Sequence, residues 1–246
     1  MRARLGVSWA AGSLLVASGL RRLVHRSGVS DEEAYASLPG DAVIAHPMLE
    51  WNRGITIQAP AEAVWPWLVQ MGWGRAGWYT PEAFDRFMNR WVWRLEQTDP
   101  FQPSPWRLLP EHQQLAVGAV VADGPQHAAY LRVLALEPAR HLVYYSLRHP
   151  WRGQPVDPTE EAALAAREQE LRAGGLYLEF SWAFVLCPVD ANRTRLLLRA
   201  RSKVAPLWLA GLLDVPIGLV DVYEGGGMLR GIRARATQPD HRHFGK

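Results

Sequence analysis

One cysteine, Cys187, stands in the 246 residues of the chain. A single thiol excludes any disulfide within the chain and any cysteine-built metal cage, and its place in a strand-like run reads as a buried structural thiol. Neither a G-x-S-x-G elbow nor a P-loop occurs, so acyl hydrolysis and phosphoryl transfer lose their usual signals. The eight histidines (His25, His46, His112, His127, His141, His149, His241 and His243) are dispersed, without H-E-x-x-H or comparable spacing. No metal site and no cofactor are therefore expected. Paired carboxylates in an obvious acid–base arrangement are also missing. The formal charge of +3 comes from scattered arginines with only short clusters near each end. Without a long basic stripe interleaved with aromatics, no nucleic-acid partner is expected.

A run of about 20 apolar residues, the length of a membrane span, is lacking too. The nearest approach is Leu5 to Leu20, preceded by Arg2 and Arg4, followed by Arg21, Arg22 and Arg26, and diluted by Ser8, Ser13 and Ser18. Three readings stay open for it: a peripheral helix or packed extension, a short membrane anchor, and a cleaved or disordered leader. The expected location is cytoplasmic, with residues 5–20 as the route to any membrane association.

With 48% hydrophobic residues the chain can bury a full core, and the expectation is one domain with extensions. Residues 1–49 read as the apolar leader and a linker, 50–236 as the domain, and 237–246 as a loose tail. Ile55 and Ile57 alternate with Thr56 and Gln58 as in a half-buried strand. Val64, Trp67, Leu68 and Met71 then fall on one helical face, with Pro66 as a possible kink. Thr80 before Pro81 predicts an N-cap and a second helix to about Trp93, and four prolines between residues 100 and 110 demand a loop. Strands are expected over Ala128–Leu136, His141–Arg148, Leu176–Cys187 and Thr194–Lys203. The short turns between them, such as residues 137–140 and 189–193, favour antiparallel hairpins. On the outer face Glu179 is expected to meet a strand arginine. The stretch 150–174 reads as a charged helical insertion, with a lid over the binding space as one role for it. Pro216 and Gly225–Gly227 predict that the terminal segment breaks into two or three helical pieces.

Gly72, Gly74 and Gly77 satisfy G-x-G-x-x-G, but a helix precedes them where a dinucleotide site needs a parallel strand. The alternative is a tight turn with left-handed glycines that brings Arg75, Trp78 and Tyr79 to one rim. Eight of the twelve tryptophans lie between Trp51 and Trp106, which is aromatic mass for a dense core or for the wall of an apolar cavity.

The order strand, helix, helix, antiparallel strands, long terminal helix resembles the START-like (SRPBCC) helix-grip superfamily, which includes plant pollen-allergen proteins and aromatic polyketide cyclases. ITIQAPAEAVWPWLVQMG looks like its opening strand and helix. GRAGWYTPEAFDR, LLPEHQQLAVGAVV and MLRGIRARA are similar to later segments of a bacterial branch, so the likeness covers residues 50–236. What the resemblance implies is an α+β fold in which a curved antiparallel sheet wraps around a long C-terminal helix, leaving an apolar cavity between them. In that picture Val143, Tyr145, Phe180, Trp182 and Leu198 would point inward from the strands. Trp67, Trp78, Tyr79 and Phe84 would line the opening, while Tyr79, Tyr145 or Arg75 would fix a polar end of the ligand. The leading expectation is a non-enzymatic protein that binds a small hydrophobic molecule of lipid, polyketide or isoprenoid class. A cyclase- or dehydratase-type enzyme acting through Tyr145, Tyr79 and Arg75 is the first alternative, and a membrane-associated regulatory or interaction module the second.

Overall fold

The computed structural model describes residues 18–88, 90, 103–124, 129–150, 152 and 161–238. Most of the leader, the end of the expected second helix, part of the proline loop, the start of the insertion and the tail beyond 238 lie outside these residues. A helical run, α1, covers residues 18–25. It is followed by β1 (Arg26–Ser27), α2 (Asp31–Tyr35), β2 (Leu49–Ile57), α3 (Ala61–Val69), α4 (Glu82–Phe87), β3 (Val120–Ala122), β4 (Tyr130–Glu137) and β5 (His141–Arg148). α5 (Glu161–Gly174), β6 (Tyr177–Asp190), β7 (Arg193–Ala205) and α6 (Trp208–Ala236) complete the order.

The seven strands form one open sheet in the order β1-β2-β7-β6-β5-β4-β3. Every neighbouring pair is antiparallel except β1 with β2, which is parallel. The sheet is thus mixed at one edge, where a purely antiparallel one was expected. It is curved, and its inner face holds the long helix α6. This is a helix-grip architecture, α+β in class.

Period-two alternation decides which side chains face α6. Trp182 opposes both Tyr144 and Ala200, and Phe184 opposes Leu142 and Leu198, so these residues share the inner face. With Trp51, Ile57, Leu131, Val133, Leu186 and Leu196 they build one buried apolar cluster that also takes in Met228, Leu229 and Ile232 of α6. Each fully buried side chain of this size contributes about 1.5–3 kcal/mol.

The outer face is not open to solvent. Residues 26–48, expected to be a linker, pack across it: Val143 lies against Gly40, and Arg199 bonds the carbonyls of Glu33, Ala34 and Ala36. At the other end α5 lies on the same face, with Glu168 accepting from Tyr130 and pairing with Arg132, and Arg172 paired with Glu179. Glu179 therefore meets a helix arginine rather than a strand one. The packed position of α5 also corrects the lid expectation, since the helix covers the side of the sheet opposite α6.

Two helix expectations change. α4 begins at Glu82 because Pro81 is still extended (φ −59°, ψ 133°), and the Thr80 hydroxyl bonds the Asp85 carboxylate instead of capping the helix. α6 is one continuous helix of 29 residues, not two or three pieces. Pro216 sits on its exposed side, where water can take the carbonyl that proline leaves free. Its glycines are sites of close approach: a Cβ on Gly227 would sit 2.4 Å from Pro81, and one on Gly231 would sit 2.2 Å from the Tyr79 carbonyl.

Candidate functional site

The glycine turn that follows α3 is closed by reciprocal backbone bonds between Gly72 and Gly77, and all three of its glycines have positive φ. The left-handed turn is as expected from the residues, but the rim is not. Arg75 folds back under the turn and donates to the carbonyls of Val69 (2.9 Å), Met71 (3.1 Å) and His112 (2.9 Å). It thereby satisfies the orphan carbonyls at the end of α3, and burial lowers its pKa. Tyr79, at φ +57° and almost fully buried, receives a hydrogen bond at its hydroxyl from Gln70 Nε2 (2.8 Å). The Arg235 guanidinium covers its ring at 4.5 Å, and burial raises the phenol pKa. Trp67 is completely buried and meets Tyr79 edge-on at 6.1 Å. All three residues belong to the packing beneath the site.

Trp78 stays half-buried and points to the inner face. Its ring stands edge-on to Trp182 (5.6 Å) and to Tyr144 (6.3 Å). Trp182 in turn meets Phe180 (5.2 Å) and Phe184 (6.1 Å), and Tyr144 meets Phe184 (6.3 Å). Five rings thus form a continuous aromatic wall, each pair in the edge-to-face geometry that ring quadrupoles favour. Leu198 backs this wall from β7, whereas Phe84 packs on Tyr223 of α6 at 5.8 Å, and no ring contact joins it to the wall among the described residues.

Val143 and Tyr145 lie on the opposite face of β5, which corrects the expectation that they point inward. Tyr145 bonds Glu179 and Arg172, each at 3.0 Å, beneath α5. The cause is the pairing of β5 with β6: Leu142 opposes Phe184 and Tyr144 opposes Trp182, so the alternate residues Val143 and Tyr145 turn to the other face. A bulge in β4 adjusts the partner strand and keeps Val133 inward. Counting back from the turn at residues 137–140 would pair Val133 with Tyr145. An irregularity between Val133 and Ala135 shifts the register by one, so Val133 pairs with Tyr144 and Arg132 with Tyr145.

The inner residue is therefore Tyr144, and its hydroxyl has no hydrogen-bond partner among the described residues although the side chain is wholly buried. The indole nitrogens of Trp78 and Trp182 are likewise buried without partners among the described residues. Three donors are thus unused within one wall, where a buried polar group without a partner costs about 1–3 kcal/mol each.

Ionisable groups border the wall. Arg148, at the end of β5, holds Asp123 at 2.7 Å and has its guanidinium 5.8 Å from the Phe180 ring. Glu224 of α6 is half-buried, and no hydrogen bond to it is found among the described residues. Burial, reinforced by Asp123, Asp221 and Asp85, pushes its carboxyl up to about 8 against the pull of Arg148, so it is largely protonated at neutral pH. One turn earlier Asp221 is paired with Arg53 of β2 at 2.6 Å. Burial outweighs that pairing and raises Asp221 to about 6, which leaves it mostly ionised at pH 7.

No family model and no curated protein sequence matches the chain. Solved structures do match it. The Zhui aromatase/cyclase from Streptomyces sp. R1128 is 16% identical with a TM-score of 0.37, over 80% of this chain and 98% of that one. A hypothetical protein, jhp0584, from Helicobacter pylori is 12% identical with a TM-score of 0.43, over 81% and 95%. DynU16, a putative protein of the dynemicin biosynthetic locus, is 12% identical with a TM-score of 0.36, over 78% and 51%. At this level of likeness nothing about the ligand or reaction of those proteins passes to this chain.

Sequence reasoning named the wall residues Trp78, Phe180, Trp182 and Leu198. It missed Tyr144, because β5 is apolar on both faces, and Glu224, because a glutamate before three glycines looks like a helix break.

Proposed function

We propose that the protein binds a small, largely apolar molecule carrying hydrogen-bond acceptor oxygens, of lipid, polyketide or isoprenoid class, against the aromatic wall beneath α6. One observation carries the reading: the unpartnered donors of Trp78, Trp182 and Tyr144 lie in one interlocked cluster. All three are donors, so the ligand that suits them brings carbonyl, ether or hydroxyl oxygens on an apolar body. Each 100 Å² or so of apolar ligand surface covered contributes about 2.5 kcal/mol, with the donors setting orientation.

Native mass spectrometry of the full chain purified from its own host tests this, followed by titration of tryptophan fluorescence with any co-purified compound. A bound apolar oxygenated compound that quenches wild type, and binds at least tenfold more weakly to Trp78→Phe/Tyr144→Phe, is the expected outcome. A protein that carries no such compound, and whose fluorescence ignores a panel of apolar ketones and phenols, would end the proposal.

A cyclase- or dehydratase-type enzyme is the second reading, and Glu224 favours it. A carboxyl held neutral at pH 7 is suited to donating a proton to a ligand oxygen, and the Arg148–Asp123 salt bridge that acts on it also borders Phe180 of the wall. The polar groups of Arg75, Tyr79 and Tyr145 are engaged elsewhere, so this chemistry would run through Glu224 and Tyr144. Turnover of the bound compound, abolished in Glu224→Gln with affinity retained, separates the enzyme from the carrier.

A further inference from the structure

The exposed side of α6 carries a second pattern that the ligand site does not use. Trp208, Leu212, Val215 and Leu219 are 66%, 62%, 38% and 44% exposed. Their spacing of four, three and four residues places them in one line along the helix. Gly226, Arg230 and Arg233 extend the same line towards the C-terminus. At about 1.5 Å per residue the apolar part is about 17 Å long and leads directly into the arginines.

The two arginines border a cleft of about 190 Å³ between α6 and the sheet edge, where Arg53, Gly54 and Gly28 form the other side. Arg53 is matched by Asp221, but Arg230 and Arg233 are exposed and have no ion pair among the described residues. Most other arginines of the sheet and its coverings are paired, as in Arg195–Glu33, Arg201–Glu50 and Arg148–Asp123. The helix dipole accounts for a cation in the last turn, which Arg233 occupies, but not for Arg230 a turn earlier. A cleft of this volume is too small for a whole apolar ligand and suits a single charged group.

The apolar line bears no exposed acid. Asp214 and Asp221, the only carboxylates between Leu207 and Tyr223, are paired with His25 and Arg53. Beside it, joined through the His25–Asp214 contact of 3.4 Å, α1 exposes Leu20 and Leu23 together with Arg21 and Arg22. No acidic residue precedes Asp31 in the chain. No helix among the described residues is long and apolar enough to cross a membrane.

We propose that the Arg230–Arg233 cleft is a binding site for a phosphate-class anion, and that the neighbouring apolar line of α6 rests on the lipid surface that presents it as a headgroup. Aromatic and aliphatic side chains enter the interface, with the guanidinium groups at headgroup level. The same helix would then face the bilayer on one side and the aromatic wall on the other.

The test uses the full chain with two probes: inorganic phosphate followed by NMR, and flotation with phosphatidylcholine vesicles with or without phosphatidic acid. Wild type should bind phosphate and float at least tenfold more with phosphatidic acid present. Arg230→Gln/Arg233→Gln should lose both effects, although its leader is unchanged. Leu212→Ser/Leu219→Ser should keep phosphate binding and lose flotation. Phosphate binding without flotation would assign the cleft to a soluble phosphate ester and overturn the lipid half. Absence of both in wild type, flotation unaltered in the arginine variant, or burial of the apolar line in a stable dimer would overturn the whole.

Discussion

The two faces of the sheet treat buried polar groups in opposite ways. On the outer face Arg199, with a side chain only 2% exposed, donates to Asn52 Oδ1, to the Asp41 carboxylate and to three backbone carbonyls of residues 33–36. Arg195 and Arg201 are likewise committed to Glu33 and to Glu50 with Asp41. On the inner face Tyr144, Trp78 and Trp182 hold donors that nothing among the described residues takes. The outer side also leaves single atoms without a hydrogen bond, Asp41 Oδ1 and Arg132 Nη2 among them, but each of these groups has another partner, which the phenol and the two indoles lack among the described residues. Saturated polarity fixes the N-terminal segment to the sheet, whereas unsaturated polarity is what a site for an outside acceptor requires.

The strongest way to break this contrast is to remove Arg199. Arg199→Ala leaves Asn52 Oδ1 and the segment's three carbonyls without their donor and the Asp41 carboxylate with only Arg201 and the Leu38 amide, and is expected to cost about 3 kcal/mol. The measurement is the urea midpoint at pH 7, with proteolysis within residues 28–48 as a local readout. A loss below about 1 kcal/mol would mean that the outer network holds little.

Next in size is the fit of α6 to the glycine turn. Gly231→Ala would set a Cβ 2.2 Å from the Tyr79 carbonyl, and overpacking of this kind costs about 1–3 kcal/mol. Alanine's helix propensity offsets up to about 1 kcal/mol of that. Gly211→Ala meets nothing within 4 Å and should instead stabilise by about 0.5–1 kcal/mol. Thermal melts of the two variants should move in opposite directions, and a common direction would contradict the close contact.

Much of this fold is legible in the residues. The even positions of β6 and β7 name the inner face, and the apolar spacing of α3 names the side it buries. The bulge in β4 is not legible, because the three apolar residues Val133, Leu134 and Ala135 let either register look correct. The exchange of Tyr145 for Tyr144 has another cause: β5 is apolar on both faces, and only its pairing with β6, Tyr144 opposite Trp182, decides which tyrosine turns inward. The continuity of α6 was hidden for a different reason. Glycine propensity argues for a break, and only the approach of Pro81, Leu198 and Tyr79 shows why small residues are needed there. Residues 27–50 lack periodicity because ion pairs and backbone carbonyls, rather than an apolar stripe, attach them to the sheet.

A pH titration sharpens the inner face. The Glu224 carboxyl is raised from its ordinary 4.5 to about 8, so the folded state binds more protons than the unfolded chain between those values. Stability from this group is complete below about pH 4.5, declines as pH rises through 8, and is flat above. Asp221, raised to about 6, adds a similar decline at lower pH and leaves the interval from 6 to 8 mainly to Glu224. Urea midpoints of wild type should therefore fall from pH 6 to 8 relative to those of Glu224→Gln. Parallel curves would show that the carboxyl is solvated and in no position to act as an acid.

Removal of one oxygen gives the smallest change in stability and the clearest division between the faces. Tyr144→Phe deletes a buried hydroxyl that has no partner, so desolvation no longer opposes folding at that position. The melting temperature should stay level or rise slightly, by the equivalent of less than about 1 kcal/mol, because the ring and its contacts with Trp78 and Phe184 remain. Affinity for the bound compound should fall about five- to tenfold, the effect of one hydrogen bond. On the outer face Tyr145→Phe removes a hydroxyl that bonds both Glu179 and Arg172, so stability should fall while affinity is unchanged. The adjacent tyrosines thus form a paired experiment with opposite signs. If Tyr144→Phe destabilises as Tyr145→Phe does and leaves binding intact, the inner hydroxyl is structural and the two faces do not differ in the way proposed.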